Sequence, residues 1–327
     1  MKITVLGAGA WGTALARLLQ EAGTNKVTLW AHEPARLEQI AKAHTNELYL
    51  PGIALPPEWT LEPDLAKAVA HCECVVVAVP SKAFREVTTA LREFRGLVVS
   101  VTKGIEYETG LTMSGVLCQT APGASVAALS GPTLALEVAK GIPSAIVVAS
   151  HSASAAHTAQ ALFHRPTFRV YTSGDLLGVE LGGALKNVVA IAAGIGDGLG
   201  FGDNSKAALI TRGIVEMRRL GVACGAKAET FSGLSGLGDL TVTCYSRLSR
   251  NRGFGERLGR GEDVNQVIAN SITVAEGYPT ARSAYRLAQQ LKVSTPIIDE
   301  VHAVLYEQKN VAKALLDLTN RESKAET

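Results

Sequence analysis

The first half of the chain alternates short apolar runs with longer amphipathic stretches. Seven runs rich in Val, Ile and Leu are predicted to be strands, at residues 2–7, 26–31, 74–80, 96–102, 125–131, 144–150 and 168–172. Most of them are separated by stretches with helical spacing, such as WGTALARLLQEAG and KAFREVTTALREF. Strands that are apolar on both faces and alternate with helices are typical of a parallel sheet covered by helices on both sides.

The second half of the chain has a different pattern. After about residue 175 only helical spacing remains, as in VELGGALKNVVAIAAGI and EGYPTARSAYRLAQQLK. The change falls in TSGDLLG at 172–178, where Gly and Asp interrupt the apolar pattern. We therefore predict a doubly wound, mostly parallel α/β domain at residues 1–178, followed by an all-α domain at residues 179–327.

Composition narrows the class of protein. The chain has 327 residues, of which 47% are hydrophobic and 19% charged, as in soluble globular proteins. Its net charge of +2 is too small to indicate nucleic acid or an anionic membrane as the main partner. Glycines interrupt the apolar N-terminus, and we expect no signal peptide and no membrane span. The five cysteines lack metal-ligand spacing, so we predict reduced thiols in a cytoplasmic protein and no metal site. The spacing of His151, His157 and His164 is interpreted as a solvent-exposed face.

A glycine-rich turn follows the first predicted strand. The sequence GAGAWG places Gly7, Gly9 and Gly12 in a G-x-G-x-x-G pattern between ITVL and a helical stretch. In this context the first glycine permits the tight turn, the second lets the backbone approach a pyrophosphate, and the third allows close helix–strand packing. The pattern predicts a Rossmann-type domain that binds a dinucleotide.

The residues after the second strand bear on which dinucleotide is used. That strand ends in LWAHEP, so Ala31 and His32 stand where an NAD-specific protein often has Asp or Glu. Glu33 follows directly and is still within reach of a ribose. His32 and Arg36 could instead face a 2′-phosphate, which favours NADP or the use of both cofactors.

Two further motifs follow strands of the predicted sheet. Lys103 of TKGIEYETG comes after the fourth strand, and Gly131 and Thr133 of SGPTLALEVAKG come after the fifth. Ligands of open α/β sheets bind at the carboxyl ends of strands. We therefore expect these residues on one crevice, with a solvated lysine as the alternative for Lys103.

A basic cluster marks the helical half. In GLSGLGDLTVTCYSRLSRNRGFG, Asp239 follows three glycines, and Arg247, Arg250 and Arg252 alternate with Ser249 and Asn251. Arg binds phosphate well because its planar fork donates two hydrogen bonds. The flanking small polar residues favour an anion pocket over a merely solvated basic face.

Lys186 is the single charged residue between Glu180 and Asp197, in a run that otherwise predicts a buried helix. Such a lysine can extend its ammonium to water along the helix surface. If it faces the cleft between the domains instead, burial lowers its pKa and lets it exchange a proton near neutral pH. Reduction of a carbonyl needs such a proton donor beside the nicotinamide.

In combination, these motifs resemble a known family. GAGAWGTALA, NELYLPG, SGPTLALEVAKG, GALKNVVAIAAGIGDGLGFGDNSKAALITRG, SRNRGFG and TVAEGYPTA occur in order from residue 1 to about 310, as in the bacterial NAD(P)-dependent glycerol-3-phosphate dehydrogenases. The resemblance implies reversible reduction of dihydroxyacetone phosphate to sn-glycerol 3-phosphate for glycerophospholipid synthesis. It also implies a cytoplasmic homodimer with a 6-phosphogluconate-dehydrogenase-like helical domain.

The resemblance implies a role for individual residues as well. Lys186 would be the catalytic proton donor and acceptor. The implied substrate contacts are Lys103, Gly131, Thr133, Lys186, Asp239, Ser249, Arg250 and Asn251. Together with the three turn glycines, the implied cofactor contacts are Ala10, Trp11, His32, Tyr49, Lys103, Ala135, Arg250, Val274 and Glu276.

Two other functions are compatible with the residues alone. A 3-hydroxyacid or ketopantoate reductase could share this architecture, but it would not need a phosphate pocket. A non-enzymatic dinucleotide redox sensor would need no proton donor at Lys186.

Overall fold

The structure, a computed structural model, describes residues 1–271 and 275–320. Ten strands are found in this part of the chain: β1 Lys2–Leu6, β2 Lys26–Trp30, β3 Thr45–Asn46, β4 Leu50–Ala54, β5 Thr60–Leu61, β6 Cys74–Val77, β7 Leu97–Ser100, β8 Ser125–Ser130, β9 Ser144–Ala149 and β10 Phe168–Ser173.

The same part of the chain holds fifteen α-helices. Seven accompany the strands: α1 Ala10–Gln20, α2 Pro34–Ala43, α3 Leu65–Val69, α4 Ser81–Thr88, α5 Met113–Thr120, α6 Ala135–Ala139 and α7 Ala153–Phe163. Eight follow them: α8 Leu176–Gly198, α9 Asp203–Ala223, α10 Asp239–Tyr245, α11 Arg250–Gly259, α12 Val264–Ala269, α13 Gly277–Leu291, α14 Pro296–Tyr306 and α15 Val311–Thr319.

The main sheet has eight strands in the order β10-β9-β8-β7-β6-β1-β2-β5. All neighbouring pairs are parallel except β8 and β9, which pair antiparallel. The prediction of a doubly wound, mostly parallel sheet is therefore confirmed. Strands β1, β6, β7 and β8 are parallel neighbours, so their carboxyl ends lie along one edge, with the switch in strand order beside β1.

Helices cover both faces of this sheet. Successive residues of a strand point to opposite faces, and in β6 Cys74 and Val76 join one apolar cluster while Val75 and Val77 join the other. The first cluster includes side chains of α1, α2 and α7, and the second includes side chains of α3, α4 and α5. The near-continuous apolar runs of the sequence follow from this burial on two sides.

The helical half is built around α8. This helix has a mean hydropathy of 1.5 over its most apolar 18 residues, of which 89% are buried inside the protein, so it is a core helix. Helix α11 crosses α8 so closely that a Cβ on Gly194 would lie 1.9 Å from the carbonyl oxygen of Arg252, and one on Gly255 would lie 2.0 Å from that of Ile191. This contact places the start of α11 beside the middle of α8.

The start of α8 lies at the change of pattern in the sequence. The Asp175 side chain accepts a hydrogen bond from the Gly178 backbone N–H at 3.0 Å and so caps the helix. The predicted division of the chain between residues 178 and 179 thus falls within the first turn of α8. That division stays a prediction.

Candidate active site

The crevice between the sheet edge and α8 brings together charged residues from both halves. Lys103 lies beyond β7 and Gly131 lies beyond β8, and the Lys103 ammonium donates to the Gly131 carbonyl at 3.0 Å. The same ammonium donates to Asp239 Oδ2 at 2.6 Å. Lys103 therefore faces the crevice and a residue of α10, as the position after the strand predicts, rather than bulk solvent.

Lys186 projects from α8 toward the same carboxylate. Its ammonium donates to Asp239 Oδ1 at 2.9 Å and to Thr243 Oγ1 at 2.7 Å. Lys186 is 6% exposed and Asp239 is 1% exposed, so the pair is shielded from water. Lys186 does not extend to the surface, and one carboxylate bridges the two lysines.

The electrostatics of this cluster follow from burial and charge. Burial lowers the pKa of Lys186 to about 8, although the Asp239 carboxylate acts in the opposite direction. The positive charge of Lys103 lowers it further. Burial alone would raise the pKa of Asp239, but the two ammonium groups outweigh it and keep that pKa below its ordinary value. The cluster thus holds a carboxylate and a lysine that can release a proton near neutral pH.

Thr243 is a member of this cluster that the sequence interpretation missed. Its hydroxyl donates to the Asp239 carbonyl at 2.6 Å, and its oxygen accepts from Lys186. Asp239 and Thr243 are one turn apart on α10. The i, i+4 spacing on a predicted helix was the available signal.

A chain of amides lies next to Lys186. Asn251 Nδ2 donates to Asn187 Oδ1 at 2.8 Å, and Asn251 Oδ1 accepts from the Gly277 N–H at 2.8 Å. Asn251 therefore joins α8, α11 and the start of α13. The Ser249 hydroxyl accepts from the Arg252 backbone N–H at 3.2 Å and caps α11.

The three arginines of the basic cluster separate in space. Arg250 is exposed and lies near Glu276 and Tyr49 at the crevice; partial desolvation lowers the pKa of its guanidinium, and those two groups act in the opposite direction. Arg252 instead contacts Asp197 at 2.6 Å, and Asp197 also pairs with Lys206 at 2.7 Å. Arg247 is exposed. Arg252 is thus paired with a carboxylate of α8, and the anion pocket predicted from the basic cluster stays a prediction.

The glycine turn has the geometry that its sequence predicts. Gly7 has φ +117°, and a Cβ there would lie 2.7 Å from the Ala78 carbonyl oxygen at the end of β6. A Cβ on Gly12 would lie 1.9 Å from the Gly7 carbonyl oxygen, whereas one on Gly9 would meet no described atom within 4 Å. Among the described residues no side chain caps α1, and the buried indole Nε1 of Trp11 has no partner there. The open helix start, with Ala10 in its first turn, fits the pyrophosphate of a dinucleotide.

The residues around the end of β2 line the same edge. His32 is exposed, with its ring 6.5 Å from that of Trp30. Arg36 lies 5.1 Å from the centre of the Tyr49 ring and 3.5 Å from Glu33 Oε2. These side chains lie near the position that an adenosine ribose takes in Rossmann folds.

The remaining predicted residues lie in or beside the crevice, with one exception. Thr133 Oγ1 donates to the Gly131 carbonyl at 3.1 Å, and Ala135 begins α6. Glu276 accepts from the Ser81 N–H at 3.1 Å and from the Ser81 hydroxyl at 2.6 Å, so it caps α4. Val274 lies outside the described residues. Ser81 carried no sequence signal, because its role depends on a residue 195 positions away.

Two further observations concern surface and metal chemistry. His151, His157 and His164 are exposed, as predicted. Within residues 1–271 and 275–320, no group of three or more His, Cys, Asp or Glu residues is arranged to hold a metal ion.

Known proteins are similar to this chain over nearly its whole length. The sequence profile for the N-terminus of NAD-dependent glycerol-3-phosphate dehydrogenase matches residues 2–156, and the profile for its C-terminus matches residues 175–316. A glycerol-3-phosphate dehydrogenase [NAD(P)+] of Chlorobium phaeobacteroides (strain BS1) is 46% identical over 100% of this chain and 99% of its own. The enzyme of that name from Chlorobium limicola (strain DSM 245 / NBRC 103803 / 6330) is 48% identical over the same shares.

Solved structures agree with the sequence comparisons. The crystal structure of glycerol-3-phosphate dehydrogenase from Coxiella burnetii superposes with a TM-score of 0.94 at 37% identity, over 98% of this chain and 99% of that one. A ketopantoate reductase from Ralstonia eutropha JMP134 has a TM-score of 0.62 at 18% identity, over 96% of this chain and 100% of that one, and shares the fold alone. The chain therefore belongs to the family of NAD-dependent glycerol-3-phosphate dehydrogenases.

Proposed function

We propose that this chain catalyses the reversible, NAD(P)H-dependent reduction of dihydroxyacetone phosphate to sn-glycerol 3-phosphate. The observation that carries the proposal is the buried Lys186 ammonium, held by Asp239 and Thr243 in the crevice. The bound nicotinamide supplies the hydride in this chemistry. Lys186 then donates a proton to the carbonyl oxygen, and the neutral amine regains a proton from solvent.

We assign the other residues of the crevice supporting roles. Lys103 and the backbone around Gly131 orient the substrate next to Lys186, with Thr133 beside them. Asp239 keeps both lysines directed into the crevice and stabilises their charge. Arg250 holds the phosphate, with Ser249 and Asn251 fixing the start of its helix.

The cofactor would lie across the glycine turn. The N–H groups at the start of α1 would hold the pyrophosphate, with Ala10 and Trp11 alongside. Ala135 and Glu276 border the same crevice. The exposed His32 and the nearby Arg36 support the use of NADPH, or of both cofactors, because a cation there can accept a 2′-phosphate.

The remaining features of the proposal concern the whole protein. We infer a cytoplasmic homodimer that supplies glycerophospholipid synthesis, and an N-terminal domain ending at residue 178. Size-exclusion chromatography with light scattering tests the dimer.

The first experiment follows the loss of reduced-nicotinamide absorbance after dihydroxyacetone phosphate is added, with NADH and NADPH in parallel. Dihydroxyacetone without phosphate is the substrate control, and Lys186→Met is the protein control. We expect turnover with the phosphorylated ketone alone, and a loss of about 10²–10⁴ in kcat in the variant. Turnover that Lys186→Met leaves intact would remove Lys186 from the mechanism. No turnover with either cofactor, in a protein that binds them, would favour a sensor.

A further inference from the structure

The segment that carries Lys103 is held by the other half of the protein. We call residues 102–112, between β7 and α5, the Lys103 loop. Its residue Ile105 is 2% exposed and belongs to the apolar cluster of the helical half, together with Ala281 and Ala284 of α13. Although the chain enters this loop from the sheet, the loop inserts a side chain into the helical core.

Polar contacts from α13 fix the backbone on either side of Glu106. The hydroxyl of Ser283, which is 3% exposed, donates to the Ile105 carbonyl at 2.9 Å. Arg286 Nη1 donates to the Tyr107 carbonyl at 3.1 Å. The Arg282 guanidinium lies 3.8 Å from the centre of the Tyr107 ring, within the range of a cation–π contact.

The N-terminal half holds the same loop from its other side. Arg85 of α4 makes two hydrogen bonds to the Glu106 carboxylate, each of 2.8 Å. The start of α4 is in turn bound by Glu276, the residue before α13. The Lys103 loop thus lies between α4 and α13, and both helices are fixed to each other.

We propose that Arg282, Ser283 and Arg286, the α13 clamp, are positioning residues that hold the Lys103 ammonium on Asp239. This inference rests on the proposed function, in which Lys103 and Lys186 act together. Helices α8, α10 and α13 belong to the same apolar cluster, through residues such as Leu185, Leu240 and Ala284. By binding the loop to α13, the clamp fixes the position of Lys103 relative to Lys186 and Asp239.

The clamp has a consequence for the proton donor. The charged and titratable groups that face Lys186 are Asp239, Lys103 and Cys244. Of these, Lys103 disfavours the protonated form of Lys186. If the loop moves away, this repulsion is lost, so the pKa of Lys186 rises and the pH profile of turnover moves with it.

The test uses three variants of the full chain. Two carry the single substitutions Ser283→Ala and Arg282→Met, and the combined variant carries both of these together with Arg286→Met. We expect kcat for dihydroxyacetone phosphate reduction to fall about ten- to a hundredfold in the combined variant, the range for a misplaced catalytic group. The alkaline midpoint of kcat should move to higher pH. Arg282→Lys should restore part of both, because it keeps a cation over the Tyr107 ring.

Matched controls remove equivalent bonds elsewhere. Ser150 is buried and donates to the Val126 carbonyl at 2.6 Å, and Arg219 donates to the Ser294 carbonyl at 2.7 Å. Ser150→Ala and Arg219→Met should leave kcat and the pH midpoint unchanged. A clamp variant that loses kcat without any movement of the midpoint would overturn the proposal and assign α13 a purely structural role.

Hydrogen exchange separates this proposal from the proposed function. Amides of residues 102–112 should exchange faster in the clamp variants than in the wild type or the controls, with no substrate present. Unchanged exchange would refute the clamp even if the enzyme is active. Faster exchange in a protein that does not reduce dihydroxyacetone phosphate would support the clamp and refute the proposed function. Arg282 and Arg286 are exposed, so their single Met variants remain measurable if Ser283→Ala fails to fold.

Discussion

At the residue scale, the pKa of Lys186 is set by competition between burial and one carboxylate. Burial favours the neutral amine, and Asp239 favours the ammonium. Because Asp239 also pairs with Lys103, it offsets the effect of burial only in part, and the pKa of Lys186 is about 8. A surface lysine, with an ordinary pKa near 10.4, would release its proton far less readily at neutral pH.

This value predicts opposite pH dependences for the two directions of the reaction. Reduction needs protonated Lys186, so kcat should be level below about pH 7 and fall as the pH rises through about 8. Oxidation of glycerol 3-phosphate needs the neutral amine, so its kcat should rise over the same interval. Steady-state rates across this range with saturating substrates measure both. A reduction rate that declines only near pH 10 would contradict a buried donor.

The two arginines at the start of α11 are predicted to differ in function. Arg250→Ala should raise the KM for dihydroxyacetone phosphate about ten- to a hundredfold, since a charge-assisted hydrogen bond contributes about 1.5–3 kcal/mol. Arg252→Ala should leave that KM nearly unchanged and lower the free energy of unfolding, because its partner is the partly buried Asp197. Initial rates and urea denaturation of both variants distinguish them. Equal increases in KM in the two variants would indicate that Arg252 binds the phosphate as well.

The residues of the crevice could be predicted from the sequence more readily than the residues they pair with. Lys103 and Gly131 could be placed at the crevice because the carboxyl ends of parallel strands lie at one edge of the sheet. Lys186 could be singled out because an isolated charge in an apolar helix indicates a functional role. The pairing of Arg252 with Asp197 could not be foreseen, since it depends on how α11 crosses α8. Ser81 escaped for the same reason, as its partner Glu276 comes from the other half of the chain.

At the element scale, two glycines of the turn are predicted to differ in function: Gly12 is needed for packing and Gly9 for cofactor binding. Gly12→Ala should destabilise the protein, because the new Cβ would lie 1.9 Å from a backbone oxygen. Gly9 has φ −73° and open space around a Cβ, so Gly9→Ala should change the free energy of unfolding by less than about 1 kcal/mol. It should still raise the Kd of the cofactor about tenfold or more, because its methyl group occupies the approach to the pyrophosphate.

Thermal unfolding together with titration of NADH and NADPH measures both effects. Gly202 is an exposed glycine with φ −88° directly before α9, and a Cβ there would meet no described atom within 4 Å, so Gly202→Ala serves as the matched control for Gly9→Ala. Normal cofactor affinity in Gly9→Ala would place the pyrophosphate elsewhere.

Strands with a clear apolar run could be predicted from the sequence, and strands without one could not. The seven predicted strands correspond to β1, β2 and β6 to β10, because runs of β-branched residues buried on two faces leave a clear pattern. The pair β3 and β4 and the two-residue β5 were missed. β3 and β5 have two residues each and are too short to show a period, whereas β4 contains Pro51 and Gly52, which usually indicate a turn. The reversed direction of β9 and β10 also has no local signal.

At the scale of the whole molecule, the two halves are joined by several buried polar contacts across the crevice. Lys103 meets Asp239, Ser81 meets Glu276, and Ser114 meets Glu180. Each contact has one member on the sheet side and one on a residue of the helical side. In the proposed function, substrate bound between Lys103 and Lys186 would be enclosed by side chains that these contacts already fix, which would limit the reorganisation needed for catalysis.

The contact of Glu180 with Ser114 allows the polar contacts between the two halves to be tested at a position outside the candidate active site. Glu180 is 6% exposed and accepts from the Ser114 N–H at 2.8 Å and from its hydroxyl at 2.5 Å, at the start of α5. Glu180→Ala leaves that buried N–H without its acceptor and should lower the free energy of unfolding by about 3 kcal/mol. Glu180→Gln keeps an acceptor and removes a buried charge, so it should stay within about 1 kcal/mol of the wild type at neutral pH.

The pH dependence of the Gln variant follows from the same burial. Burial raises the pKa of Glu180 above 4.5, and the bonds from Ser114 offset this only in part. The folded state therefore keeps the proton to higher pH than the unfolded state, and the contribution of Glu180 to stability is largest at acid pH and falls as the pH rises. The free energy of unfolding of Glu180→Gln relative to the wild type should consequently increase from about pH 4.5 upward. Urea denaturation at several pH values measures this, with the exposed Glu86→Gln as control. A difference that stays constant with pH would mean that burial does not shift the pKa of Glu180 between the folded and unfolded states.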